Sequence, residues 1–307
     1  VETTPGTSVA ATKQLQSMSL TPQIDLSVDT FRPMGNKFIT VAAPGKELTT
    51  VQAQGKLTYT EIVYVFSSLF GAASISGSGP FTWAFTPGSI AADAFKTFTV
   101  EQGNAVRAEK WTYGLFTSLN ISGTRDGWDL RGTMQGQAAT DGITMTASPT
   151  AIPLVPVLGK DVSVFYDTTS GGIGATKLGR VLRWEFNFGD KYQPLWAVDS
   201  SQASFVAEVE NAPTASISML VEADTAGMAL LTDARAGNFA YTRFAAVQGT
   251  NTLTIDAAVK HVRPAPYSDS NGVYAIGFNM QIAHDGAWGT APGKAMLATV
   301  VNGVSGL

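Results

Sequence analysis

Apolar and polar residues alternate with a period of two along most of this chain, the mark of strands with one buried and one wet face. In RVLRWEFNF (180–188), Leu182, Trp184, Phe186 and Phe188 point one way and Arg183, Glu185 and Asn187 the other. The same period predicts strands in FTWAF (81–85), AFKTFTVEQ (94–102), TYGLFTSLNIS (112–122) and WDLRGTMQGQ (128–137). It predicts further strands in KDVSVFY (160–166), SFVAEVE (204–210), NTLTIDAAV (251–259) and VYAIGFNMQIA (273–283). The expected fold class is α+β, mainly β.

Two stretches break the alternation and read as helices, one in each half. TYTEIVYVFSSLFG (58–71) sets Thr58 three residues before Glu61, the spacing of a capping box, and ends on Gly71. Its IVYVF run (62–66) is also compatible with a strand, because Ile and Val favour β structure. ADTAGMALLTDARAG (223–237) offers Asp224 or Thr225 as cap, an apolar stripe of Met228, Leu231 and Ala234, and Gly237 as the stop.

Turn chemistry divides these runs. Asp126-Gly127 and Asn271-Gly272 are dipeptides suited to tight hairpins, each ahead of the last long strand of its half. APGKE (43–47) and TTSGGIGATKLG (168–179) are expected as glycine-bearing tips between strands, the second long enough to be mobile when unpartnered. PTAIPLVP (149–156), with three prolines, is the expected linker between residues 1–150 and residues 151–307.

The two halves repeat a phrase. AFKTFTVEQG (94–103) and FAYTRFAAVQG (239–249) align without a gap when Phe98 is laid on Phe244, an offset of 146 residues. The same offset puts Gln102 on Gln248, Gly103 on Gly249, Leu130 on Ile276, Met134 on Met280 and Gln135 on Gln281. Two separated blocks sharing one offset predict an internal duplication, and 307 residues are enough for two domains of ordinary size.

Composition narrows the functional classes. Charged residues are only 14%, against roughly 25% in an ordinary soluble domain. Something other than charge keeps this surface soluble, or neighbouring subunits cover much of it. The net charge of −4 and the lack of a clustered Lys and Arg surface argue against wrapping nucleic acid by phosphate neutralisation. Cysteine is absent, which removes disulfide and thiolate chemistry. No apolar run approaches the ~18 residues of a membrane-spanning helix, and no signal peptide is expected from the residues that open the chain.

No catalytic constellation emerges. His261 and His284 lie on different predicted strands without ligand spacing, and neither metal nor cofactor is expected. A GxSxG nucleophile turn is missing, and SGGIGATKLG fails the phosphate-loop spacing because Lys177 follows Thr176 rather than the final glycine of the motif. Glu208 and Glu210 share a strand face, where like charges could raise one pKa, but a solvated face explains them as well. Asp126 and Asp129 flank a turn, and Asn120-Ile121-Ser122 is a loose glycosylation match. The six tryptophans, Trp83, Trp111, Trp128, Trp184, Trp196 and Trp288, could form a sugar platform or, as strand aromatics usually do, a core. An enzyme is not expected.

Four stretches carry a resemblance: ETTPGTSVAATKQLQ, GKLTYTEIVYVFSSLFG, GRVLRWEFNFGDKYQPLWAVD and LTIDAAVKHVRPAPYSDSNGVYAIGFNMQIA. In order and composition they resemble the tail tube proteins of long-tailed bacteriophages, more narrowly the branch of roughly 300 residues whose fold occurs twice in one chain. The resemblance covers most of the length but rests on no single diagnostic motif. It implies two β-sandwich modules, each with a flanking helix, whose inner sheets join edge to edge into a ring-wide β-barrel. It also implies a long hairpin or loop, placed here around 160–190, that reaches the next ring.

The implied assembly is a ring of three chains with pseudo-sixfold symmetry, six chains being the stoichiometry of single-copy relatives. Rings would stack into a hollow tube through which viral DNA is ejected, with tape-measure and tail-end proteins as partners and no membrane. The implied location is the virion tail, after assembly in the host cytoplasm. Lumen-facing acids are expected among Glu185, Glu208 and Glu210, and contacts between rings among Gly171, Gly172, Lys177 and Arg180. Another virion component of similar architecture and a carbohydrate-binding β-sandwich module are the alternatives.

Overall fold

Alternation over so much of the chain requires many strands with one wet face, and the computed structural model is a mainly β molecule. It describes residues 1–198, 204–270 and 272–307. The first half runs β1 (Lys13–Gln14), β2 (Met18–Phe31), β3 (Val41–Lys56), α1 (Ile62–Leu69), β4 (Ser74–Ser76) and β5 (Phe81–Phe85). It continues through β6 (Phe98–Gly103), β7 (Ala108–Thr124), β8 (Gly127–Gly136), β9 (Thr140–Asp141) and β10 (Thr150–Ala151). The second half runs β11 (Val162–Asp167), β12 (Val181–Gly189), β13 (Tyr192–Leu195), β14 (Ala207–Glu210), β15 (Thr214–Glu222) and α2 (Thr225–Ala236). It closes with β16 (Ala240–Gln248), β17 (Asn251–Ser270), β18 (Val273–Ile282) and β19 (Met296–Asn302).

One large sheet follows the path β2-β3-β8-β7-β12-β15-β18-β17-β19-β5-β4. Among the described residues it does not close into a barrel. The first eight strands of this path pair antiparallel throughout, and β7 joins β12 through Leu119↔Phe188 to Gly123↔Trp184. The order β2-β3-β8-β7 is followed by β12-β15-β18-β17, with β6 on β7 and β16 on β17. Strand β18 begins and ends 146 residues after β8.

The long strands β7 and β17 change partner along their length. Residues 108–114 of β7 pair with β6, and residues 115–124 with β8. Residues 251–259 of β17 pair with β16, and residues 259–270 with β18. The core lies where these portions face each other. Phe244 of β16 stacks on Trp184 and meets Trp128 edge-on, both at 4.7 Å between ring centres. One buried cluster includes Val51, Phe66 and Trp128 from the first half and Trp184, Phe244 and Phe278 from the second. The halves therefore share a core.

Helix α1 buries all eight residues, which explains why IVYVF carries no polar stripe. Phe66 meets Phe85 at 5.5 Å, and Phe70, just past the helix, meets Phe188 at 4.9 Å. The expected capping box is half formed. Glu61 N donates to Thr58 Oγ1 at 3.2 Å, while the Glu61 carboxylate accepts from Gln16 N at 2.5 Å and Ser17 N at 3.0 Å. The helix start thus anchors the approach to β2 instead of closing on itself. In α2, Asp224 caps Gly227 N at 2.9 Å and Gly237 adopts φ +68°, as expected. Its buried stripe is Gly227, Leu230 and Leu231, and Met228 is exposed.

Several turn expectations are corrected. APGKE lies within β3, where Leu26 pairs with Glu47 and Val28 with Pro44, so Ser27 faces a Gly45-Lys46 bulge. The tip is residues 32–40. Alternation continues on both sides of APGKE, so the bulge absorbs the glycine without ending the strand. The segment 160–190 is not a hairpin, because β11 pairs with β16 whereas β12 pairs with β7 and β15.

The turn between β7 and β8 is Arg125-Asp126, and Gly127 starts β8. Gly272 takes φ +80° with Asp269 accepting from its N–H at 2.7 Å, and Asn271 lies outside the described residues. The 149–156 segment is tied to the first half: β10 pairs with β1, and Val155 O accepts from Tyr59 N at 3.0 Å.

Candidate functional site

Strand alternation that buries Val51, Leu130, Ile121, Phe186, Ile217 and Met280 turns the intervening residues to the opposite face. Following the register, one row there reads Ser19, Gln54, Arg131, Asn120, Asn187, Ser216, Gln281 and Lys260 across eight strands. A second reads Lys56, Asp129, Ser122, Glu185, Ser218, Asn279 and Arg263. Hydroxyls and amides dominate, and the two acids are partnered, Asp129 by Lys56 at 2.6 Å and Glu185 by Arg183 at 2.7 Å, while Arg131, Lys260 and Arg263 form no ion pair among the described residues. A shallow groove on this face is lined by Gln52, Asn120, Arg131, Asn187, Asn279 and Gln281.

Of the three expected acids, only Glu185 belongs to this face. Burial pushes its carboxyl up, but bonds from Asn187 and Asn120 and the neighbouring Arg183 outweigh burial and hold it below the usual range. Glu208 and Glu210 lie on β14, which pairs only with β13 in a separate ribbon. Glu208 accepts from the Tyr113 hydroxyl, which burial and then this bond push well above the usual phenol range. Glu210 accepts from Asp93 N at 2.9 Å. On β14 the expected faces are reversed, with Glu208 and Glu210 half-buried and Val209 exposed, and β14 is not a strand of the large sheet.

Among the described residues, the eight-strand portion ends in two unpaired margins. Strand β2 pairs with β3 on one side only, and its Pro22 is a residue that edges tolerate. Beyond Val259, β17 pairs with β18 alone. Past Leu48, the β2–β3 hairpin leaves the sheet as a two-stranded ribbon, since β8 pairs only with residues 49–56 of β3. That ribbon and its tip expose Leu26, Val28, Phe31, Ile39 and Val41, with Met34 104% and Phe38 80% exposed. A two-stranded ribbon is marginal alone. Alternation of Leu20, Ile24 and Leu26 with Thr21, Gln23 and Asp25 is the signal that could have found β2, interrupted at Pro22.

The expected glycine tip is a folded loop. The Asp167 carboxylate accepts from Gly174 N at 2.9 Å and Thr176 N at 3.0 Å, and Lys177 bridges back to Phe165. Gly171 and Lys177 are exposed, Gly172 is half-buried, and Arg180 is held by Glu222 at 2.6 Å.

His261 sits 2.8 Å from the Tyr166 hydroxyl, and burial lowers its pKa. A histidine held neutral in the fold stabilises fully above its unfolded pKa of about 6.5 and loses that contribution as pH falls toward the lower folded value. The urea midpoint of the wild type is therefore expected to drop between pH 7 and pH 5 by more than that of His261→Gln. Equal drops would show that this imidazole is not the responsible group. Trp83, Trp111, Trp128, Trp184 and Trp288 are buried and Trp196 is half-buried under Lys46, so no tryptophan platform is presented.

Among the described residues, no group of three or more His, Cys, Asp or Glu side chains is placed to hold a metal ion, and no helix is long and apolar enough to cross a membrane. Neither a protein-family model nor a curated protein matches the sequence.

Proposed function

We propose that this chain is a structural subunit of two tandem modules that polymerises edge to edge into rings, and that stacked rings form a hollow tail tube for the passage of DNA. The observation that carries this reading is the repeated pairing order of the eight-strand sheet, which ends in two open margins. Within the chain, β7 of the first module already pairs with β12 of the second. By the same repeat, the distal half of β17 offers the place of β7, and β2 of the next copy offers the place of β12. A margin of this length invites uncontrolled pairing unless a defined partner consumes it, and closed symmetry limits the assembly.

Geometry favours three copies. With strands about 4.8 Å apart and tilted about 40°, a three-copy sheet has a backbone diameter of about 48 Å, leaving a bore of about 36 Å inside about 6 Å of side chain on each wall. Two copies would leave about 20 Å, too tight for a hydrated duplex. A wall in which amides and hydroxyls separate Arg131, Lys260 and Arg263 offers no continuous cationic track for counterion release, so DNA would slide without being held. The two rows carry four cations, Lys56, Arg131, Lys260 and Arg263, against two acids, Asp129 and Glu185, so the proposed lumen is better described as mainly uncharged and polar than as acidic.

The apolar β2–β3 ribbon is the element suited to reach the neighbouring ring, in place of residues 160–190. Negative-stain microscopy of the purified protein is expected to show rings and hollow rods. Met34→Asp with Phe38→Asp is expected to leave rings and abolish rods. A protein that stays monomeric at every concentration defeats the proposal.

A further inference from the structure

Lys191 is only 1% exposed, in the turn between β12 and β13. Other described lysine and arginine partners of acids keep a third or more of their side chains in water, except Arg243. Asp190 before it takes φ +59°, a conformation uncommon outside glycine, which aims the next side chain inward. The Lys191 main chain is held on both sides, its N–H by Thr117 O at 3.4 Å and its carbonyl by Asn211 N at 2.7 Å.

Inside, Lys191 Nζ donates to Leu69 O at 2.6 Å and to Asp93 Oδ2, and Glu210 Oε1 lies 3.5 Å from the same nitrogen. Glu210 Oε2 accepts from Asp93 N at 2.9 Å, which locks the second acid beside the first. Asp93 Oδ1 accepts from Gly88 N at 2.7 Å. The Tyr192 ring lies 5.1 Å from Nζ and Phe95 packs on Tyr192 at 5.3 Å, so this corner is walled by aromatic carbon.

A buried amine against a largely buried carboxyl, with a second carboxylate in reach of the nitrogen and an N–H on the oxygen that does not touch it, is the set of groups that amide formation requires. We propose that Lys191 and Asp93 condense into an intramolecular isopeptide bond, with Glu210 as the proton carrier. A proton first crosses from the ammonium to Asp93 Oδ2, giving a neutral amine and a neutral acid. Nζ then attacks Cγ, and negative charge develops on Oδ1, where Gly88 N–H receives it as an oxyanion-hole donor does. Glu210 takes one proton from the nitrogen and delivers it to the Oδ2 hydroxyl.

The Cγ–Oδ2 bond breaks, Oδ2 leaves with two hydrogens as water, and one hydrogen stays on the new amide nitrogen. No oxidant, metal or co-reactant is consumed. Fixed reactants, an amine 2% and a carboxyl 9% exposed, supply the proximity that makes an otherwise slow condensation accessible, and the aromatic wall disfavours the return of water. The bond would tie the loop after β5 to the turn after β12, joining the two halves covalently.

Intact mass spectrometry of the purified full chain tests this directly. The wild type is expected to weigh less than its sequence mass by one water molecule, and trypsin is expected to fail after Lys191 and yield a branched peptide carrying Asp93. Glu210→Gln, which keeps the side chain's shape, is expected to restore the full mass and cleavage after Lys191. In denaturing gels the wild type is expected to migrate ahead of Lys191→Met, because its internal loop persists. A wild-type chain of full sequence mass that is cleaved after Lys191 overturns the bond. A Glu210→Gln chain condensed as completely as the wild type overturns the role of Glu210.

Discussion

A chain carrying Thr21→Cys and Ser268→Cys is expected, on oxidation, to form disulfide-linked oligomers dominated by one closed species, while each single variant forms none. The register behind this pair comes from the contact made inside the chain, where Ser122 of β7 faces Glu185 of β12. Ser268 takes the place of Ser122: it pairs with Ala275 as Ser122 pairs with Asp129, the offset of 146 holding on both strands. Thr21 takes the place of Glu185 through Gln52 and Thr133, as Glu185 reaches Asn279 through Ser218. Both residues are exposed on open margins.

Facing Cβ atoms of antiparallel strands lie about 4.5–5.5 Å apart, close enough for a disulfide after slight adjustment. The native chain has no cysteine to compete. Linkage would run from one copy to the next, so nearly all protein should leave the monomer band on non-reducing gels. If the double variant forms rods but never crosslinks, the margin pairing is wrong even though a tube exists. If it neither crosslinks nor assembles, the edge-to-edge reading itself is lost.

Trp184→Ala is expected to cost about 3–5 kcal/mol, a large part of the 5–15 kcal/mol that keeps a typical fold. Its ring is 1% exposed, stacks on Phe244 at 4.7 Å and lies 6.0 Å from Trp128. These three rings belong to β12, β16 and β8, so the cavity would open where the halves share their core. Urea denaturation should show one transition, displaced to much lower urea, for probes in either half. A loss under about 1 kcal/mol, or a first half that melts unchanged, would contradict a shared core.

Strand identity was legible where alternation was clean. RVLRWEFNF became β12 with Trp184, Phe186 and Phe188 buried, and VYAIGFNMQIA became β18. Helix α2 was legible from Asp224 and Gly237, because caps are local chemistry, whereas Thr58 pointed to α1 while IVYVF left a strand open. The ribbon at 18–56 was obscured: Pro22 and APGKE are ordinary signs of turns, and only the bulge at Ser27 lets a strand pass through them.

Partners across the fold were not legible at all. Nothing near GDKYQ says that Lys191 meets Asp93, since 98 residues separate them and both types are usually exposed. Glu208 and Glu210 alternate just as Glu185 does, yet they sit in a different sheet.

By itself, the sequence determined a mainly β chain with two helical stretches, a phrase that recurs at an offset of 146 residues and a composition poor in charge. Those properties follow from local period, from capping groups and from composition. Tertiary structure decided which strands adjoin, that the two halves share one core, which margins remain open and which acids are spent on internal partners. Pairing and burial depend on residues far apart in the chain, and a period of two records that a strand has two faces without recording what either face meets.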